Sequence, residues 1–162
     1  MIESVSHLQT LDVVHDADLK GKRVVTTVAV PKGELVAQIS GHRDVRVPTR
    51  YTVQAGVNLH IDGLKQLTFM NHSCAPSVFL NTTDLTITAL RDLAVGDEVT
   101  FFYPSTEWHM AEPFDCLCGA PTCVGRIAGA QSLSDDVIAR YDINAHIRAL
   151  RVQQVFTDFT MS

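Results

Sequence analysis

Apolar residues in roughly the first hundred positions come in short runs rich in Val, Ile, Thr and aromatics, each cut off by turn residues. Residues 23–30, 35–40, 51–54, 57–61, 78–81, 85–90 and 99–102 carry this pattern and predict β-strands. Pro31-Lys32-Gly33 and Val95-Gly96-Asp97 mark turns, and Asn81-Thr82-Thr83-Asp84 reads as a hairpin loop. Residues 63–70 predict one short helical turn. The period then changes. Ser134-Asp135-Asp136 offers capping oxygens ahead of Val137, Ile138 and Tyr141, and Ile143, Ile147, Leu150 and Val155 continue an apolar stripe at helical spacing. The end of the chain is therefore expected to form two short helices. Pattern alone supports a mainly β chain with a helical tail, which a closed barrel or a sandwich would satisfy equally well.

The 162 residues suit one domain of ordinary size, large enough to bury a real core. Net charge is −5, and the 13 Lys and Arg are scattered, with Lys20, Lys22 and Arg23 the densest group. That balance argues against direct nucleic-acid binding and is compatible with a basic peptide as substrate. The N-terminus has no basic region leading an apolar run, and no stretch approaches the ~20 apolar residues of a membrane span. The expectation is a soluble intracellular protein, cytoplasmic or nuclear, without a membrane partner. A reducing compartment of that kind keeps thiols available for metal.

Those thiols are the sharpest chemical signal. Cys116-x-Cys118-x4-Cys123 is joined by a distant Cys74. Three clustered cysteines cannot pair among themselves without stranding one sulfur, whereas a structural zinc takes four soft ligands in a closed tetrahedron, which Cys74 would complete. The plainer reading of the trio is a chance cluster of buried thiols.

Three motifs in order place the cysteines in a context: Phe69-Met70-Asn71-His72-Ser73-Cys74-Ala75-Pro76, then Gly96-Asp97-Glu98-Val99-Thr100-Phe101-Phe102-Tyr103, then Phe114-x-Cys116-x-Cys118-Gly119 followed by Cys123-x-Gly125. Together they resemble the SET family of protein-lysine methyltransferases with its zinc-binding post-SET segment. The resemblance implies a SET fold: a mainly β β-clip of small curved sheets, closed by a C-terminal pseudoknot, with a short helical C-terminal tail. It divides the chain into a SET domain over residues 1–103, a post-SET-like zinc-binding segment over 104–130, and a helical tail over 131–162 packed on the same domain. It implies S-adenosylmethionine as cofactor, Zn²⁺ held by Cys74, Cys116, Cys118 and Cys123, and methyl transfer to a lysine amine of a protein or peptide.

By the same resemblance, Tyr103 matches the family's catalytic tyrosine, which also borders the cofactor near the transferring methyl, Phe101 a position that tunes how many methyl groups fit, and Tyr51 another active-site tyrosine. Asn71 and His72 match cofactor-holding residues. A buried Asn is costly as filler, because both its donors and its acceptor must be met. Gly21 resembles the start of the family's Gly-x-Gly loop at the cofactor's amino-acid end, and Leu117 falls where the post-SET segment borders the adenine, so both are expected to contact the cofactor. Several positions depart from the pattern: Arg23, Ile39, Thr68, Ser77 and Phe102 stand where the family has Gly, Tyr, Arg, Asn and Asp. Ile39 in particular removes a phenol expected at the target-nitrogen site. Two other readings follow from these departures, an enzyme on the same scaffold acting on a small molecule, and a non-catalytic, zinc-stapled module that binds cofactor.

Overall fold

The computed structural model describes residues 10–16 and 21–160, so Lys20 and the N-terminal heptad used above lie outside the described residues. Short strands follow from short apolar runs. β1 (Leu11–Asp16) and β2 (Gly21–Thr26) form an antiparallel ribbon. β3 (Leu35–Gln38), β8 (Val78–Asn81) and β9 (Thr86–Ala89) make one three-stranded sheet in the order β3-β9-β8. β4 (Arg43–Val45), β5 (Val53–Gly56) and β6 (Leu59–Asp62) make another, in the order β4-β6-β5. β8 and β9 alternate buried and half-buried positions, as a hairpin with one face on a core requires. Their loop is closed by Asn81, whose Oδ1 accepts from the Thr83 and Asp84 amides at 2.9 and 3.1 Å.

After a 3₁₀ turn at Lys65–Phe69, β7 (Asn71–His72) pairs in parallel with β10 (Thr100–Phe101). Backbone bonds Ser73 N–H to Phe101 O and Ser77 N–H to Thr100 O, both 3.1 Å, extend this junction, and Val99 N–H to Val24 O at 2.8 Å ties it to the first ribbon. Beneath lie Leu11, Val24, Val36, Ile61, Leu80, Ile87 and Val99, all shielded from solvent. β11 (Phe114–Asp115) and β12 (Arg126–Ile127) then clamp a cysteine-bearing loop. α1 (Asp135–Ile138) is capped by Ser134, whose Oγ accepts the Val137 amide, and α2 (Ala145–Thr160) ends the described chain.

The architecture is the mainly β SET fold with a helical tail. It differs from expectation in detail. β1, β4, β7, β11 and β12 leave no mark in the periodicity, and four of them span only two or three residues held by their partners rather than by propensity. α2 is 16 residues, not a short helix, and its stripe is split. Ile138, Ile143 and Ile147 pack with Ala130 and Trp108, whereas Val155 is 68% exposed. No helix among the described residues is long and apolar enough to cross a membrane.

Asn144 fastens the tail. Its Nδ2 donates to Leu80 O and Ser105 O at 2.8 and 2.9 Å, and its Oδ1 accepts Thr82 N–H at 2.9 Å, all buried. Asn144→Ala strips Leu80 O and Thr82 N–H of their side-chain partner, while Ser105 O keeps the Asn144 amide at 3.1 Å, so chemical denaturation should report a loss of about 2–4 kcal/mol. A loss below about 0.5 kcal/mol would mean that water replaces these bonds.

Candidate active site and thiolate cluster

The parallel ladder sets the site. Pairing Asn71 with Thr100 and His72 with Phe101 brings Tyr103 out beside Met70 and His72. The Tyr103 amide donates to His72 Nδ1 at 3.1 Å, and its hydroxyl donates to Met70 O at 2.6 Å. An Nδ1 that accepts leaves the ring proton on Nε2, assigned from the network, and that nitrogen faces Cys74 Sγ at 3.2 Å. Burial lowers the His72 pKa to about 4, which keeps the ring neutral. Burial, with help from Glu107, raises the Tyr103 hydroxyl well above its ordinary value, so it is a dipole and not a phenolate.

Tyr51, Asn71, His72, Phe101, Tyr103 and Leu117 line one open cleft of about 610 Å³. That volume suits a small-molecule site. Phe101 is buried with its ring centroid 4.7 Å from that of Tyr103. Tyr51 stands at the mouth, with the Arg50 guanidinium 5.2 Å from its ring centre, and Leu117 is almost wholly exposed at the edge. Asn71 is not buried as the sequence suggested. It sits on the cleft wall, where β7 meets open space, and its Nδ2 donates to Lys22 O at 3.0 Å. Gly21 is not among the lining residues; it opens β2, next to residues outside the described set.

Behind one wall, the sulfurs of Cys74, Cys116, Cys118 and Cys123 all lie within 4.8 Å of one another, with Cys74 and Cys116 3.8 Å apart and no disulfide formed. A tetrahedron with Zn–S of about 2.3 Å has S–S edges of about 3.8 Å, so the cluster fits one zinc ion. Burial pushes the Cys74 thiol far up, against the Val124 amide that donates to its sulfur at 3.4 Å. A divalent cation is the natural partner for sulfurs packed this closely. Gly125 O accepts Cys116 N–H at 2.8 Å and Ala120 O accepts Cys123 N–H at 3.0 Å, folding the loop inward.

Three departures acquire a structural account. Phe102 stacks on Tyr141 of the tail at 3.6 Å between centroids and 9° between planes, and the Tyr141 hydroxyl donates to Cys74 O at 2.7 Å. Ser77 Oγ donates to Glu98 O at 2.9 Å and accepts Thr100 N–H at 2.9 Å, pinning β10. Ile39 is in the core, away from the cleft.

One lining residue escaped the motif reading. Glu107 is buried, and burial raises its pKa from 4.5 to about 7, opposed by bonds from the Thr106 hydroxyl and the Gln54 amide. A single acid between Thr106 and Trp108 leaves no pattern in the sequence that would mark it.

A family model described as the SET domain matches residues 21–104. Methyltransferase flvH of Aspergillus flavus is 40% identical over 147 residues, 90% of this chain and 83% of that protein. An H3 lysine-4 specific histone-lysine N-methyltransferase of Schizosaccharomyces pombe is 41% identical over 63 residues, 35% of this chain but only 7% of that one. The crystal structure of KRYPTONITE with mCHG DNA and SAH superposes with a TM-score of 0.56 and 25% identity, over 72% of this chain and 28% of that chain.

Burying Glu107 has a pH signature. A folded pKa above the unfolded one means that the native state keeps a proton the unfolded chain releases between about pH 4.5 and 7, so stability falls as pH rises through that window. The full penalty is at most about 3 kcal/mol. Thermal melts from pH 5 to 8 should show a steeper decline for the wild type than for Glu107→Gln; parallel curves would contradict the raised value.

Proposed function

The chain belongs to the SET-domain family of methyltransferases, and on that footing we propose that it transfers a methyl group from S-adenosylmethionine to the side-chain amine of a lysine in a protein or peptide. What carries the reading is the β7–β10 junction, which gathers Asn71, His72, Phe101 and Tyr103 on one cleft against the four-cysteine cluster. Asn71, His72 and Leu117 would hold the cofactor: the Asn71 amide is exposed on the wall, and Leu117 offers apolar surface at the edge. Bound there, S-adenosylmethionine supplies an electrophilic methyl group on a sulfonium.

The protein's own residues position and shield. The Tyr103 hydroxyl gives its proton to Met70 O, so its oxygen is left to accept an N–H and to fix the direction of the amine lone pair. Phe101 and Tyr51 supply the apolar walls that favour the neutral amine over the ammonium. Cys74, Cys116, Cys118 and Cys123 bind one Zn²⁺ as a structural staple, holding Leu117 at the cleft and, through Cys74, backing His72.

A second reading, methylation of a small-molecule amine, is supported by the reach of the similarities. The similarity to flvH runs through most of both chains and that protein's name specifies no protein substrate, while the histone enzyme is matched over a small part of its length. Labelled-methyl transfer to a lysine peptide array, run beside a metabolite mixture, decides between the two.

Tyr103→Phe removes one oxygen and should lower turnover about a hundredfold while leaving S-adenosylmethionine affinity within about twofold. Undiminished turnover would remove the hydroxyl from the mechanism. On a lysine peptide, mass spectrometry should find products beyond the monomethyl stage, because Phe101 leaves more room than a tyrosine.

Elemental analysis should find one zinc per chain, and its removal by a chelator should loosen residues 114–125 and weaken cofactor binding together. Metal-free protein with an intact cofactor site would refute the staple.

A further inference from the structure

Glu107 has no task in the chemistry above, yet it lies on the same cleft. It is 8% exposed, and none of the four ion pairs among the described residues includes it. Its oxygens accept only from the Gln54 amide, at 3.0 and 3.3 Å, and from the Thr106 hydroxyl, at 2.6 Å. Buried carboxylates are ordinarily paired with a cation, because desolvation of the charge is otherwise uncompensated. A glutamine of the same shape would satisfy the Gln54 N–H equally well, so holding β5 does not explain a charge at this position.

The carboxylate is also rigidly placed. The Glu107 N–H donates to Tyr103 O at 3.0 Å, and its carbonyl accepts Ala130 N–H at 2.9 Å. The latter bond needs Gly129: φ is +115° there, and a Cβ would collide with the Trp108 carbonyl. The Gln54 side chain locks the next residue by accepting Trp108 N–H at 2.9 Å. The result is a fixed carboxyl group that lines the same cleft as Tyr103 and, when ionised, opposes ionisation of the Tyr103 hydroxyl. Fixed charge with no protein counter-ion, in a cleft, is the arrangement of a site whose counter-ion arrives with the ligand.

We propose that Glu107 is the specificity-determining counter-charge of the cleft, pairing with the ammonium form in which the substrate arrives, before the amine loses its proton beside Phe101 and Tyr51, so that cationic amines are chosen over neutral molecules of the same shape. This rests on the reading of the cleft as an amine site, and it applies to a lysine side chain and to a small amine alike, since both present an alkylammonium tail.

The test uses zinc-loaded protein saturated with S-adenosylhomocysteine and two probes of equal length, n-pentylamine and n-pentanol, with affinities read by NMR titration. At pH 8 the wild type should bind the amine at least about tenfold more tightly than the alcohol, the scale of a charge-assisted hydrogen bond. In Glu107→Gln the preference should fall to within about twofold, with S-adenosylhomocysteine affinity and a cooperative melt retained. Lowering the pH from 8 to 5.5 should erode the wild-type preference as Glu107 takes up a proton. Across that range His72 stays neutral, the Tyr103 hydroxyl stays protonated, and Arg50, Glu112 and Asp115 are exposed to solvent at the rim. If Glu107→Gln does not fold, the wild-type pH series decides, and a preference unchanged at pH 5.5 overturns the assignment. Equal affinity for both probes in the wild type, or a preference that survives in a folded Glu107→Gln, overturns it as well. A wild type that binds neither probe at tens of millimolar refutes the amine-site reading and the role of Glu107 with it.

Discussion

Two residue pairs, Asn71 with Thr100 and Phe101 with His72, hold the molecule's working parts together. A parallel ladder this short has little stability of its own, and it survives because its surroundings leave it no alternative. The Ser77 hydroxyl and the Ser73 and Ser77 amides bond across the same junction, and Val99 below it is fully buried against the first ribbon. From that junction one strand end delivers Tyr103, the other delivers Met70 and His72, and Cys74 follows two residues later. The cleft and the thiolate cluster are thus two faces of one crossing, and His72 touches both, accepting from the Tyr103 amide on one side and facing the Cys74 sulfur on the other.

Much of this was legible in the sequence, for identifiable reasons. β8 and β9 alternate cleanly because one face lies on the core, so residues 78–81 were read with correct bounds. Ser134-Asp135-Asp136 offer capping oxygens by side-chain chemistry alone, and Ser134 is the one that caps. The cysteines were grouped by ligand chemistry, and their sulfurs do converge. Strands of two residues leave no periodic trace, which is why β7, the most consequential of them, was known only as a motif and not as a strand. Burial of Asn71 was inferred from the cost of its amide, but the sequence does not say that β7 faces open space. Glu107 was missed because a single acid carries no pattern; its meaning comes from what surrounds it and from the cation it lacks.

One departure from the family pattern, Phe102, ties the site to the tail. Phe102 exchanges a charged position for a flat ring that meets Tyr141, and Tyr141 in turn bonds the Cys74 carbonyl. The tail therefore supports the metal-side wall from outside while Asn144 fastens it to the β8–β9 hairpin. Phe102, which looks like erosion of the motif when taken alone, reads as a packing solution when taken with Tyr141, some forty positions later.

Tyr141 lies 67 residues beyond the carbonyl it bonds, and Cys116 42 residues beyond the sulfur it meets. Closing loops of that length is entropically slow and must precede any gain from the contacts themselves. On a chain made from its N-terminus, the sheets can collapse while the cleft still lacks its edge, its sulfur partners and its outer brace. Function would then be the last thing this molecule acquires as it is synthesised, and a nascent chain released early would carry much of the core and none of the chemistry.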